Sequence, residues 1–200
     1  MPKLSAGAVK YGFWFAEFIQ LMEWVTDSED DQTIRQRVID TNAFEQRSVA
    51  RTENVVNCIL RRIRSLPEDL REIFPSLDLD NQRITVLIGI MNTDELIRRF
   101  MLDCFKDAVV LGDEVLQDYE LNAFFSRLQA ERDEVAEWHD NTIQRLKGTI
   151  RNYLRASGIA RAAGSELALQ RPLLDTRLVT ILQANHQAVY VVALTGRTNG

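Results

Sequence analysis

Two histidines, two cysteines and one run of basic residues are the side chains whose chemistry has to be accounted for first. His139 and His186 lie 47 positions apart. His139, between Trp138 and Asp140, has no Ser or Cys near it to activate, so it reads as a surface or helix-entry residue rather than a general base. Cys58 and Cys104 lack CxxC spacing and sit in apolar, helical surroundings, which predicts buried, reduced thiols of a cytosolic protein. No phosphate loop, GxGxxG turn or HExxH helix occurs. Asp78 and Asp80 in SLDLDN lack the later ligands and the glycine of a calcium loop. No catalytic constellation is present, and neither a metal nor a cofactor is expected.

The basic run is different. From Asn141 through Ser165 there are five Lys or Arg and no Asp or Glu, in a chain of formal charge -5. Ile143, Leu146, Ile150, Tyr153 and Leu154 recur at helical spacing and make one inward stripe. At 100° per residue, Gln144, Gly148, Arg151, Asn152 and Arg155 group on another face, with Lys147 on its flank and Arg145 further round. Asn141 suits the N-cap, Gln144 the capping-box position, and Gly158 the left-handed position after the C-terminus. The spacing predicts a helix over about 142–157.

A second helix has the same organisation. With Val49, Thr52, Val56, Ile59, Leu60 and Ile63 inward from a Ser48 cap, Arg47, Ala50, Arg51, Asn54, Asn57 and Arg61 share the outside. Arg can fork onto guanine or phosphate, Asn can pair with adenine, and small residues admit a close backbone. Such a face suits a nucleic-acid groove, but it equally suits plain solvation or pairing with internal acids. ERDEVAE, just upstream of the basic run, is a candidate counter-charge. Each basic helix follows another helix and a polar connector, over 33–64 and again over 121–157. The connectors match a short helix-turn-helix turn poorly.

The elements that must carry these faces are helical almost throughout. Phe15, Phe18, Ile19, Met22 and Val25 mark a first helix, and Ser28 in the acidic DSEDD is a plausible cap for the next, through TIRQRVID. EDLREIF stops at Pro75. ITVLIGI would suit a strand, yet no second convincing strand exists to pair with it, so a buried helix is predicted. TDELIRRFMLDCFKDAVV, with Thr93 as cap, and ELNAFFSRLQ are further helices. Beyond Gly158 come an Ala/Gly loop, a helix over PLLDTRLVTILQAN, and QAVYVVALTG as a short helix or strand. The expected fold is an all-α globular multi-helix protein. Its lobes span 1–78 and 79–200, each with one helix-turn-helix-like element, or form one continuous domain. The aromatic N-terminal segment is interrupted by Glu17, Gln20 and Glu23, and no apolar run approaches the roughly 20 residues of a membrane span.

Four segments, in this order, resemble the BrxA family of BREX bacteriophage-exclusion systems. They are SAG at Ser5–Gly7 followed by GFWFAEFIQL, VIDTNAFEQRSVARTENVVNCILRRIRSL, NTDELIRRFMLDCF, and EWHDNTIQRLKGTIRNYLRASGI. The resemblance covers residues 4 to about 160. It implies an all-helical, non-enzymatic protein with helix-turn-helix-like elements and positively charged surfaces that bind double-stranded DNA, acting beside the system's methyltransferase and ATPase. A cytoplasmic monomer is expected. Carried onto this chain, the implied DNA-binding residues are Arg47, Arg51, Asn54 and Arg61 in the first element and Arg145, Lys147, Arg151 and Arg155 in the second. The competing reading is a protein-protein scaffold within the defence complex with no direct role on DNA.

Overall fold

The computed structural model describes residues 4–27, 30–164 and 166–197. Helix α1 (Phe15–Thr26) follows Trp14, which takes a left-handed conformation at φ 52, and buries Phe18, Leu21, Met22 and Val25. Helix α2 (Asp31–Thr41) is capped by Asp30, whose carboxylate accepts the amides of Gln32 and Thr33 at 2.9 and 3.0 Å. The Thr33 hydroxyl also donates to this carboxylate, and that bond first, with the amide bonds, holds the Asp30 carboxyl below its ordinary pKa. Ser28, the expected cap, lies outside the described residues. Helix α3 (Val49–Arg64) is capped as expected by Ser48, whose hydroxyl accepts from the Arg51 amide. Val49 does not point inward: at the first turn no neighbour covers it, and it is 57% exposed.

Helix α4 (Glu68–Ile73) runs into a 3-10 turn at Phe74–Ser76, and α5 (Leu79–Thr93) then crosses the centre of the molecule. ITVLIGI is helical, and α5 is buried continuously from Ile84 to Met91. A Cβ at Gly89 would stand 3.1 Å from the Arg62 carbonyl oxygen, so the missing side chain lets α5 lie close against α3. Helix α6 (Glu95–Phe100) is capped by Asp94, one residue past the expected Thr93. It continues through a π-helical turn, Met101–Phe105, into α7 (Lys106–Leu111).

The chain is predominantly helical, as expected, but it also holds a small antiparallel sheet. Strand β1 (Val115–Leu116) precedes α8 (Asp118–Glu131), the short α9 (Asp133–Ala136) and α10 (Asp140–Ala156). Strands β2 (Ala160–Ala163) and β3 (Glu166–Leu169) follow, in the order β1-β3-β2. The supposed Ala/Gly loop is therefore a hairpin. Gly158, at φ 81, turns the chain back after α10, and alternation buries Leu167 and Leu169 beneath the sheet. Helices α11 (Thr176–Ala184) and α12 (Ala188–Thr195) close the chain, so AVYVVAL is a helix. Buried apolar residues from Leu4 to Leu194 form one cluster.

Candidate nucleic-acid interface

Both arginine-bearing helices are strongly one-sided: each buries an apolar stripe and leaves a polar face to solvent. On α3 and its approach, Arg47, Arg51, Asn54 and Arg61 are all exposed. Arg47 makes no ion pair with another described residue, and the same holds for Arg61. Arg51 reaches back to the Lys10 carbonyl at 3.3 Å and lies over the Trp14 ring, so its guanidinium is partly held by the N-terminal segment. Asn54 donates to the Ala50 carbonyl of its own helix at 2.8 Å. Glu53 and Asn57 are exposed on the same helix, and Asn57 accepts from Arg35 of α2 at 2.6 Å.

On α10 the exposed arc runs through Asn141, Gln144, Arg145, Gly148, Asn152 and Arg155. Arg145 and Arg155 stand near its two edges with Gly148 between them. Neither makes an ion pair with a described residue. Arg151 is half-buried at one border and pairs with Asp118 of α8 at 2.7 Å. Lys147 is removed from the face altogether: it is 4% exposed, and its ammonium donates to Oδ1 of Asn122 in α8. Its stem lies between α10 and α8, a placement that a flank position on the helical wheel did not reveal.

Two details of the expected capping change. The N-cap residue is His139, without a side-chain cap bond, and Asn141 lies inside the helix, which begins two residues earlier than expected. ERDEVAE does not neutralise α10 through the ion pairs of its own arginine and acids: Glu131 pairs with Arg99, and Glu134 pairs with Arg132. Glu134 also accepts the Leu4 amide at 3.3 Å. Led by the bond from Arg132, these contacts bring the Glu134 carboxyl down to about 2.

The helices that carry the two arginine faces are joined through Arg62, a residue that no sequence pattern singles out. Arg62 of α3 is buried, and its guanidinium donates to the Gly12 carbonyl at 2.9 Å and to the Tyr153 hydroxyl of α10 at 3.4 Å. The Tyr153 hydroxyl in turn donates to the Tyr11 carbonyl at 2.7 Å. Burial pushes the Tyr153 phenol up to about 12, against the opposing pull of Arg62. The N-terminal segment 11–13 is thus clasped between α3 and α10. Arg161, in the expected Ala/Gly loop, stands exposed on β2 instead. The available signal was the alternating Leu167 and Leu169 beyond a Gly-Ser pair.

The thiols are unsuited to nucleophilic or metal chemistry. Cys58 is buried, and Cys104 is half-buried rather than fully enclosed. Burial, with help from the acids Glu120, Asp107 and Asp103, drives the Cys104 thiol up to about 12. Among the described residues no His, Cys, Asp or Glu cluster could hold a metal ion, and no helix is long and apolar enough to cross a membrane.

A predominantly helical fold in which two one-sided helices, α3 and α10, present arginines outward defines the class. The chain belongs to the BrxA family, whose model matches residues 2–186. It is similar to the BREX protein BrxA of Bacillus cereus (strain H3081.97), at 28% identity over 163 residues and 82% of each chain. A crystal structure of an uncharacterized protein from Magnetospirillum magneticum shares the fold. The TM-score is 0.80 at 12% identity, and the match covers 98% of this chain and 100% of that one.

Proposed function

We propose that this chain is a non-enzymatic component of a BREX phage-defence system that binds double-stranded DNA through the exposed faces of α3 and α10. The observation that carries the reading is the outer face of α10. Arg145 and Arg155 flank Gly148 with no internal carboxylate paired to them, and the missing side chain leaves room for a phosphate backbone to approach. Arg47, just ahead of α3, and Arg61 on it supply a second exposed pair. The contacts are chiefly to phosphates, and the net charge of -5 tempers affinity because local arginines work against long-range repulsion. The protein acts in the cytoplasm as a monomer beside the system's methyltransferase and ATPase.

A gel-shift titration with duplex DNA across a salt series tests this. With four to six phosphates neutralised, the log-log slope is roughly -4 to -5. Absence of retention at low salt overturns the reading. The scaffold alternative draws on a different feature: Leu111 is 78% exposed and shares a cleft with the exposed Tyr119, an apolar surface available to another protein. Co-purification with a partner, lost on substituting Leu111 or Tyr119 in a protein that retains no DNA, favours that alternative.

A further inference from the structure

We propose that the β2–β3 hairpin is a wing that reaches the same duplex as α10, with Arg161 as its phosphate contact. This deepens the DNA-binding reading and rests on it. Strand β1 stands before α8, while β2 and β3 follow α10, and β3 lies in the middle of the sheet paired to both. The sheet thereby fastens the hairpin to the base of the α8–α10 element, and β2 packs directly on α10. A turn of only a few residues through Gly158 separates the end of α10 from β2, so a duplex lying along α10 also passes the hairpin.

The register decides which side chains face it. Ala160 pairs with Leu169 and Ala162 with Leu167, and both leucines are buried, which assigns these pairs to the inner face. Arg161 pairs with Ala168, which pairs with Val115, so a guanidinium flanked by small or apolar neighbours points to the outside. Arg161 makes no ion pair with another described residue. Strand β2 is also an open edge. The Gln170 amide donates to the Ile159 carbonyl, and the alternation of an antiparallel ladder then turns the Ala162 amide away from β3. Exposed Ala162 and Ala163 leave that edge approachable by a phosphate. The one carboxylate on the outer face of the hairpin is Glu166, paired with Ala163 diagonally from Arg161. It opposes DNA without being bonded to the arginine.

Two exposed substitutions test the wing by duplex titration over a salt series, with circular dichroism melting to verify the fold. Arg161→Ala is expected to weaken binding roughly five-fold and to lower the salt slope by about 1, the signature of one lost phosphate contact. Glu166→Gln is expected to strengthen binding two- to three-fold, on the order expected for removing one nearby like charge. Wild-type protein that binds DNA, together with an Arg161→Ala variant of unchanged affinity and slope, overturns the wing while leaving the α10 reading intact. Wild-type protein that retains no duplex at low salt overturns both.

Discussion

The guanidinium of Arg62 lies 3.4 Å from the hydroxyl of Tyr153, joining α3 to α10 across a chain segment that neither helix belongs to. The hydroxyl accepts from Arg62 and donates to Tyr11, so Tyr153→Phe deprives a buried guanidinium and a half-buried carbonyl of a partner at once. The expected loss is about 2 kcal/mol, or roughly 4–8 °C in Tm for a chain of this size. Calorimetry checks it, and a Tm within a degree of wild type would show that the clasp is not structural.

The same burial gives the protein an alkaline limit. The folded phenol of Tyr153 holds its proton to about 12, above its ordinary value of 10.0. Between these values the unfolded chain has released a proton that the folded chain keeps. Stability associated with the neutral phenol is therefore full below pH 10 and is lost as pH rises toward 12. Tyrosinate absorbance should show a late-titrating component that Tyr153→Phe removes.

At the acid end the sign reverses. The Glu134 carboxyl titrates near 2 rather than 4.5, so its hold on Arg132 and the Leu4 amide is complete above 4.5 and is lost as pH falls toward 2. A carboxyl carbon NMR titration should give Glu134 the lower midpoint. A midpoint near 4.5 would mean that the N-terminal segment is not tethered there.

Lys147 and Asp118 separate the exposed face from what lies behind it. Lys147→Met keeps the buried stem and removes only the bond to Asn122, so duplex affinity should stay within about two-fold of wild type. Asp118→Asn releases Arg151 from its partner and should raise affinity several-fold, an effect on the order of 1 kcal/mol. Simultaneous Arg151→Ala and Arg155→Ala should weaken binding and flatten the salt slope by up to about 2. An unchanged slope would remove α10 from the interface.

Gly148 offers a test in which stability and binding move in opposite directions. A Cβ there meets nothing within 4 Å, so Gly148→Ala should stabilise the helix by about 1 kcal/mol. If a phosphate backbone approaches that point, the more stable variant binds DNA several-fold less tightly. Equal affinity with a higher Tm would place the duplex elsewhere.

Helices were legible because their signals are local: the Ser48 cap, the stripe from Ile143 to Leu154, and the positive φ demanded at Gly158 all lie within a few residues of what they control. The sheet was not legible. Val115 and Leu116 make a strand of two residues whose partners, Ala168 and Leu167, are distant in sequence, and no local pattern announces such a pairing. Arg62 escaped notice because arginine is seldom enclosed, and nothing in RRIR distinguishes it from its exposed neighbour Arg61. Lys147 misled for the complementary reason: its charge said surface, while Asn122 on another helix provided an interior partner.

The pairing of β1 with β3 also has a kinetic meaning. It closes the loop that contains α8, α9 and α10, so these helices cannot peel away one at a time while the two ends stay bonded. The Leu169 amide, donating to the Glu114 carbonyl, is the latch of that loop. In hydrogen exchange it should open together with the interior amides of α10, as one cooperative unit, and during folding it should be among the last bonds made.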